Sequence, residues 1–170
     1  MHGKKNIVLI GFMGAGKSLI SKHLAEKLHL PVIETDACII EREKKSISDI
    51  FKDSGEAYFR KVECSVVAEV SEKENVIVDC GGGVVLNPVN LEKLRRNGTA
   101  FFLHASPEET YRRIKNETHR PLLKVKDPLA RIKEMLKERM PFYKQADYTI
   151  ETDQRDVNQI CTEILGKLKK

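Results

Sequence analysis

Asn6-Ile7-Val8-Leu9-Ile10-Gly11-Phe12-Met13-Gly14-Ala15-Gly16-Lys17-Ser18 is the stretch on which the fold turns. Asn6 to Ile10 reads as a short, unalternating strand, and Gly11 to Ser18 fits the pattern of glycine, four residues, then glycine, lysine and serine or threonine. Leu19 to Leu28 follows with Ile20, Leu24 and Leu28 at helical spacing. Each residue type has a physical reason. The glycines let the backbone curl until its N–H groups face phosphate oxygens. The start of the helix adds positive potential at the same point. Lys17 is placed to reach β- and γ-phosphates, and Ser18 to offer its hydroxyl to Mg²⁺. Gly14, Ala15, Gly16, Lys17, Ser18 and Leu19 are therefore the expected nucleotide contacts.

Outward from this loop, short β-like runs alternate with helical stretches. The further strand candidates are Val32 to Glu34, Val76 to Asp79, Ala100 to Leu103 and Tyr148 to Ile150. Ile132, Leu136 and Met140, and then Val157, Ile160, Ile164 and Leu168, keep helical spacing. Ser106-Pro107-Glu108-Glu109 has the form of a helix start, with a cap, a proline and an acid three residues on. Ser46 with Asp49 reads the same way, and Asn97-Gly98 ends a helix before a strand. Alternation of this kind predicts an α/β fold with a mainly parallel sheet. No repeat or linker divides the chain, so 170 residues are read as one domain.

The bulk properties exclude more than they assign. No apolar run approaches the ~20 residues of a membrane span, and the N-terminal apolar run enters a glycine loop with no cleavage site, so neither membrane insertion nor a signal peptide is expected. Cys38, Cys64, Cys80 and Cys161 match no metal or disulfide spacing and read as reduced thiols of a cytoplasmic protein. The net charge of +5 comes from basic residues interleaved with acids. There is no basic stripe with aromatics, so no nucleic-acid partner is expected.

Two further features belong with the loop. Asp79 ends the third strand, where a phosphate-loop enzyme places an acid to hold Mg²⁺, making Ser18 and Asp79 the candidate metal ligands. Gly81-Gly82-Gly83 follows, a costly run that makes sense where a ligand must touch bare backbone. Asp36 comes just after the second strand, so it falls on the sheet edge where α/β proteins bind ligands.

In order along the chain, the phosphate loop, Asp36, Gly55-Glu56-Ala57-Tyr58-Phe59-Arg60, Gly81-Gly82-Gly83, Arg120-Pro121-Leu122-Leu123, and Arg139 with Tyr143 resemble the shikimate kinase family over nearly the whole length. The resemblance implies a three-layer P-loop kinase fold with five parallel strands, the loop-bearing strand central, flanking helices and a mobile lid at about 115–127. It implies an acceptor-binding helical segment at about 37–64. The implied reaction is transfer of the γ-phosphate of ATP to the 3-hydroxyl of shikimate with Mg²⁺ as cofactor, by a monomer. Asp36, Arg60, Gly81, Gly82 and Arg139 are then the shikimate contacts, with the two arginines on its carboxylate and the Gly81 and Gly82 amides at close range. Lys17, Asp36 and Arg120 are the catalytic residues, Asp36 steering or taking the hydroxyl proton. Arg113, Arg120 and Arg155 join the ATP contacts, Phe51 and Phe59 wall the acceptor pocket, and Glu63, one turn after Arg60, fixes its rotamer. Glu34 and Asp79 depart from the family pattern, in which an aspartate and a small hydroxyl residue are common, and the proline often found near Arg155 is absent.

The residues alone leave open a gluconate or nucleoside monophosphate kinase, a non-catalytic nucleotide-binding module and a nucleic-acid-binding protein. Arg60, Arg139 and the triple glycine together favour a compact carboxylated ring as acceptor.

Overall fold

The computed structural model describes residues 5–117 and 124–169. Along the chain lie β1 (Asn6–Ile10), α1 (Lys17–Leu28), β2 (Val32–Glu34), α2 (Thr35–Glu43) and α3 (Ile47–Ser71). After β3 (Ile77–Asp79) come a 3₁₀ turn (Val84–Leu86), α4 (Pro88–Asn97), β4 (Gly98–His104) and α5 (Pro107–Ile114). Then follow α6 (Pro128–Tyr143), β5 (Tyr148–Glu151) and α7 (Val157–Leu168).

The five strands form one sheet in the order β2-β3-β1-β4-β5, every pairing parallel. All five residues of β1 are buried because it is central and covered on both faces. Alternate side chains serve opposite cores. Val8 and Ile10 join Val78 and Phe102 against α3, α4 and α6, while Ile7 and Leu9 join Ile77, Phe101 and Leu103 against α1 and α7. The result is the expected three-layer arrangement.

The sequence punctuation is visible at atomic level. Ser46 and Ser106 accept hydrogen bonds from the N–H groups of Asp49 and Glu109. Gly98 is extended, not left-handed; it is needed because a Cβ there would meet Leu94 O and Val8 Cγ2 at 2.8 Å each. One feature escaped the sequence reading. Within α3, Gly55 has φ 81° and ψ 170°, which breaks the helix into two parts. The first part carries Ile47 and Phe51, and the second Phe59, Arg60 and Glu63.

β1 has β3 on one side and β4 on the other, so the chain winds away in both directions from the central strand. The crevice beyond the carboxyl ends of the strands opens at such a point. The loop after β1, the glycines after β3 and the start of α2 after β2 all reach it.

Candidate active site

The glycine loop enters α1 through Gly16, whose φ of 92° suits a residue without Cβ. Lys17 and Ser18 open the helix. Lys17 Nζ donates to Gly11 O at 2.8 Å and to Phe12 O at 3.1 Å, and so lies across its own loop. Ser18 Oγ donates to Asp79 Oδ2 at 2.7 Å. Asp79 is 6% exposed. Burial pushes its carboxyl up, while the Ser18 hydrogen bond and the Lys17 charge pull it back.

This pair suits Mg²⁺. A hydroxyl and one carboxylate beside a phosphate loop supply hard oxygen donors, and phosphate and water oxygens complete such a shell. Among the described residues no three His, Cys, Asp or Glu side chains cluster as a self-sufficient metal cage. Glu34 pairs in register with Asp79 but is exposed at the start of α2.

The triple glycine forms the floor on which the acceptor residues converge. A Cβ on Gly81 would lie 2.5 Å from Asp36 Oδ1, and one on Gly83 would lie 2.6 Å from Arg60 Nη1. Arg139 Nη1 donates to Gly82 O at 3.3 Å. Asp36 from α2, Arg60 from α3 and Arg139 from α6 thus meet over the glycine run, where a Cβ at Gly81 or Gly83 would displace Asp36 or Arg60. Asp36 keeps an exposed side chain at the cleft, where partial desolvation by its neighbours raises the carboxyl and the charges of Lys17 and Arg60 oppose the shift. Arg60 Nη1 donates to Glu63 Oε2 at 2.8 Å, so Glu63 fixes the arginine as expected. Glu63 is 1% exposed, and its Oε1 has no hydrogen-bond partner among the described residues. Burial pushes its carboxyl up, and Arg60 lowers it in part.

Phe51 and Phe59, 4.7 Å apart, form one wall, with the Arg60 guanidinium 5.0 Å from the Phe59 ring. The Arg139 guanidinium lies 5.6 Å from the Phe12 ring. Phe51, Phe59, Asp36, Arg60, Arg139 and the glycine run line a cavity of about 470 Å³ that also reaches Lys17, Ser18 and Asp79. A single space therefore joins the phosphate loop to the acceptor residues.

Gly81 lines the cavity, and its amide donates to the buried Thr35 Oγ1 at 2.9 Å. Gly82 has its carbonyl held by Tyr143 Oη at 2.5 Å as well as by Arg139. Reading the sequence left Thr35 without a role and missed Met13 and Ile47, which also line the cavity. Long-range packing brings in Thr35 and Ile47, whereas Met13 belongs to the glycine loop itself.

Beside the loop, a second cavity of about 290 Å³ is lined by Gly16, Leu19, Arg113 and Arg155, with Arg112 and Val157 among its other walls. Arg113 donates to Gly14 O and to Thr152 Oγ1 and O, each at 3.1 Å, locking the loop to the segment after β5. Glu109 takes bonds from both Arg112 and Arg113, which hold its carboxyl down to about 2. Arg155 is tied to Glu151 O, Glu163 and Gln159 O. Arg113 and Arg155, two of the three arginines assigned to ATP, are thus together at one cavity. Arg120, and with it part of the expected lid, lies outside the described residues.

Known proteins resemble this chain in sequence and fold. The family model described as shikimate kinase matches residues 13–169. A shikimate kinase of Dehalococcoides mccartyi is 46% identical over 171 residues, covering 100% of this chain and 97% of its own. One of Caldicellulosiruptor bescii is 50% identical over 149 residues, 88% of this chain and 87% of its own. Among solved structures, the shikimate kinase from Acinetobacter baumannii in complex with shikimate superposes with a TM-score of 0.91 at 33% identity, covering 99% of this chain and 94% of that one. A gluconokinase from Sinorhizobium meliloti reaches 0.63 at 20% identity, over 99% of this chain and 94% of its own, and shares the fold alone. With a central phosphate loop, a glycine floor crossed by Asp36, Arg60 and Arg139, and relatives alike from end to end, the chain belongs to the shikimate kinase family.

Proposed function

We propose that the protein transfers the γ-phosphate of ATP to the 3-hydroxyl of shikimate, giving shikimate 3-phosphate and ADP. The observation that carries this reading is the meeting of Asp36, Arg60 and Arg139 over the triple glycine, in the same cavity as Lys17 and Ser18.

Arg60 and Arg139 bind the shikimate carboxylate, and Arg60 is preset for this by its bond to Glu63. The Gly82 amide and Asp36 hold ring hydroxyls. Asp36 orients the attacking hydroxyl in line with the γ-phosphorus and accepts its proton as the new P–O bond forms. Partial desolvation in the cleft raises its carboxyl, against the Lys17 and Arg60 charges, which is the direction a general base needs. ATP lies with its phosphates on the loop amides and its base in the cavity of Arg113 and Arg155. Lys17 moves from the loop carbonyls to the phosphates and neutralises charge as the bond to the leaving ADP oxygen breaks. Arg120 is the lid arginine of this reading, closing over the same phosphoryl group. Ser18 and Asp79 would hold Mg²⁺, which supplies charge neutralisation across the β- and γ-phosphates.

No helix among the described residues is long and apolar enough to cross a membrane. The reading takes the protein as a cytoplasmic monomer whose partners are ATP and shikimate.

Shikimate-dependent ADP release in a coupled assay, lost without Mg²⁺, is the expected result. Release driven instead by gluconate or a nucleoside monophosphate would overturn the acceptor assignment.

A further inference from the structure

A run of three glycines has more backbone freedom than any other tripeptide, so an ordered floor built from it needs ties from outside. Two points of this run are tied by buried hydroxyls. The Gly81 N–H donates to Thr35 Oγ1 at 2.9 Å, and Tyr143 Oη donates to Gly82 O at 2.5 Å. Between them, Gly81 O accepts the Val84 N–H at 3.1 Å. In a planar trans peptide the C=O and N–H point in opposite directions. With the Gly81 carbonyl turned into the Val84 turn, the N–H of Gly82 on the same peptide points away from that turn.

Tyr143 cannot drift from this position. It is fully buried, and its ring stacks on Phe102 of the sheet at 4.8 Å and 9°. It leaves α6 one turn after Arg139, so one helix supplies both donors to the same carbonyl.

We propose that Tyr143 is a positioning residue for the acceptor: its hydroxyl, acting with Thr35 across the glycine run, fixes the peptides around Gly82 so that the Gly82 N–H is presented to shikimate. The inference rests on the proposed function and adds a residue that never touches the substrate. Tyr143 acts through Gly82, and Arg139 relies on the same carbonyl for its own placement.

Tyr143→Phe tests this, because it removes the hydroxyl and keeps the ring and its stack. The expected result is a KM for shikimate raised about tenfold, the equivalent of one hydrogen bond. The rise should exceed any change in kcat, with the KM for ATP within about twofold of wild type. Leu94→Ala is the control for a merely structural effect: Leu94 is buried in the same core on α4, and its loss should lower the unfolding midpoint with both KM values kept. A Tyr143→Phe enzyme with the wild-type KM for shikimate overturns the positioning role. So does a parallel rise in both KM values. Wild-type protein lacking shikimate-dependent turnover sinks the functional reading itself, and the positioning role falls with it.

Discussion

Gly83→Ala adds one methyl group, and the structure says where it goes. The residue has φ −100° and ψ 6°, which alanine adopts without strain, so the backbone itself gives little resistance. The new Cβ falls 2.6 Å from Arg60 Nη1 and 2.8 Å from Arg60 Cζ, well inside contact distance. The guanidinium is the end of a flexible side chain and must swing away. Two interactions go with it: the bond to Glu63 at 2.8 Å and, under the proposed function, the pair with the shikimate carboxylate. Loss of one partner of a buried charge pair costs about 2–5 kcal/mol. That corresponds to a KM for shikimate raised from about 30-fold to several thousandfold. The fold should survive, because Glu63, already pushed up by burial, can take up a proton when Arg60 leaves. The assay is coupled ADP release with shikimate varied at saturating ATP and the reverse, beside a thermal unfolding curve. Arg60→Ala should give the same kinetic pattern. A folded Gly83→Ala enzyme with a KM for shikimate within about twofold of wild type would refute the placement of Arg60 on the acceptor.

Lys17→Ala should lower kcat by at least ~10²-fold while leaving the circular dichroism spectrum intact; near-normal turnover would remove Lys17 from the mechanism. Asp79→Asn keeps a polar group beside Ser18 but loses the charge, so the Mg²⁺ concentration for half-maximal activity should rise about 10–100-fold. Isothermal titration of Mg²⁺ into the ATP-bound variant gives a check independent of turnover, and an unchanged affinity would exclude Asp79 from the metal site. Glu63 gives a pH signature. Its carboxyl is raised in the folded protein, mainly by burial, so the native state holds a proton that the unfolded chain releases. Its contribution to stability is therefore present below the unfolded value of about 4.5 and is lost as pH rises through the folded value. Chemical unfolding of Glu63→Gln should gain on wild type as pH rises above the unfolded carboxyl value of about 4.5, and a difference that stays constant as pH rises would contradict the assignment.

Much of the fold was legible because its signals are local. The run Asn6 to Ile10 is buried on both faces, which removes alternation from the strand, and Ser46 and Ser106 cap helices through bonds that span three residues. Arg60 and Glu63 could be paired on paper because one helical turn separates them. The Gly55 break was not legible. Glycine within a helical pattern is tolerated, and only the packing of the two parts of α3 decides its φ. The direction of the Gly81 amide was illegible for a related reason: Thr35 reaches it only after β2 and β3 pair with Glu34 opposite Asp79. The sequence likewise gives no sign that Tyr143 ends under Gly82, because that contact joins segments about as distant as α6 and the end of β3.

The central place of β1 governs how the protein comes into being. Ile7 pairs with Ile77 on one side and with Thr99 on the other, so β1 must wait for partners that lie far downstream in the chain. Nothing local can stand in, since parallel strands have no hairpin to begin from. As the chain leaves the ribosome, the glycine loop is synthesised early but lacks its flanking strands until β4 has emerged. Loop closures of that length must come before the contacts that reward them, which predicts slow, late consolidation of the sheet. ATP can therefore stabilise the finished enzyme by binding to it, yet it has no formed site on the nascent chain to guide the assembly that creates one.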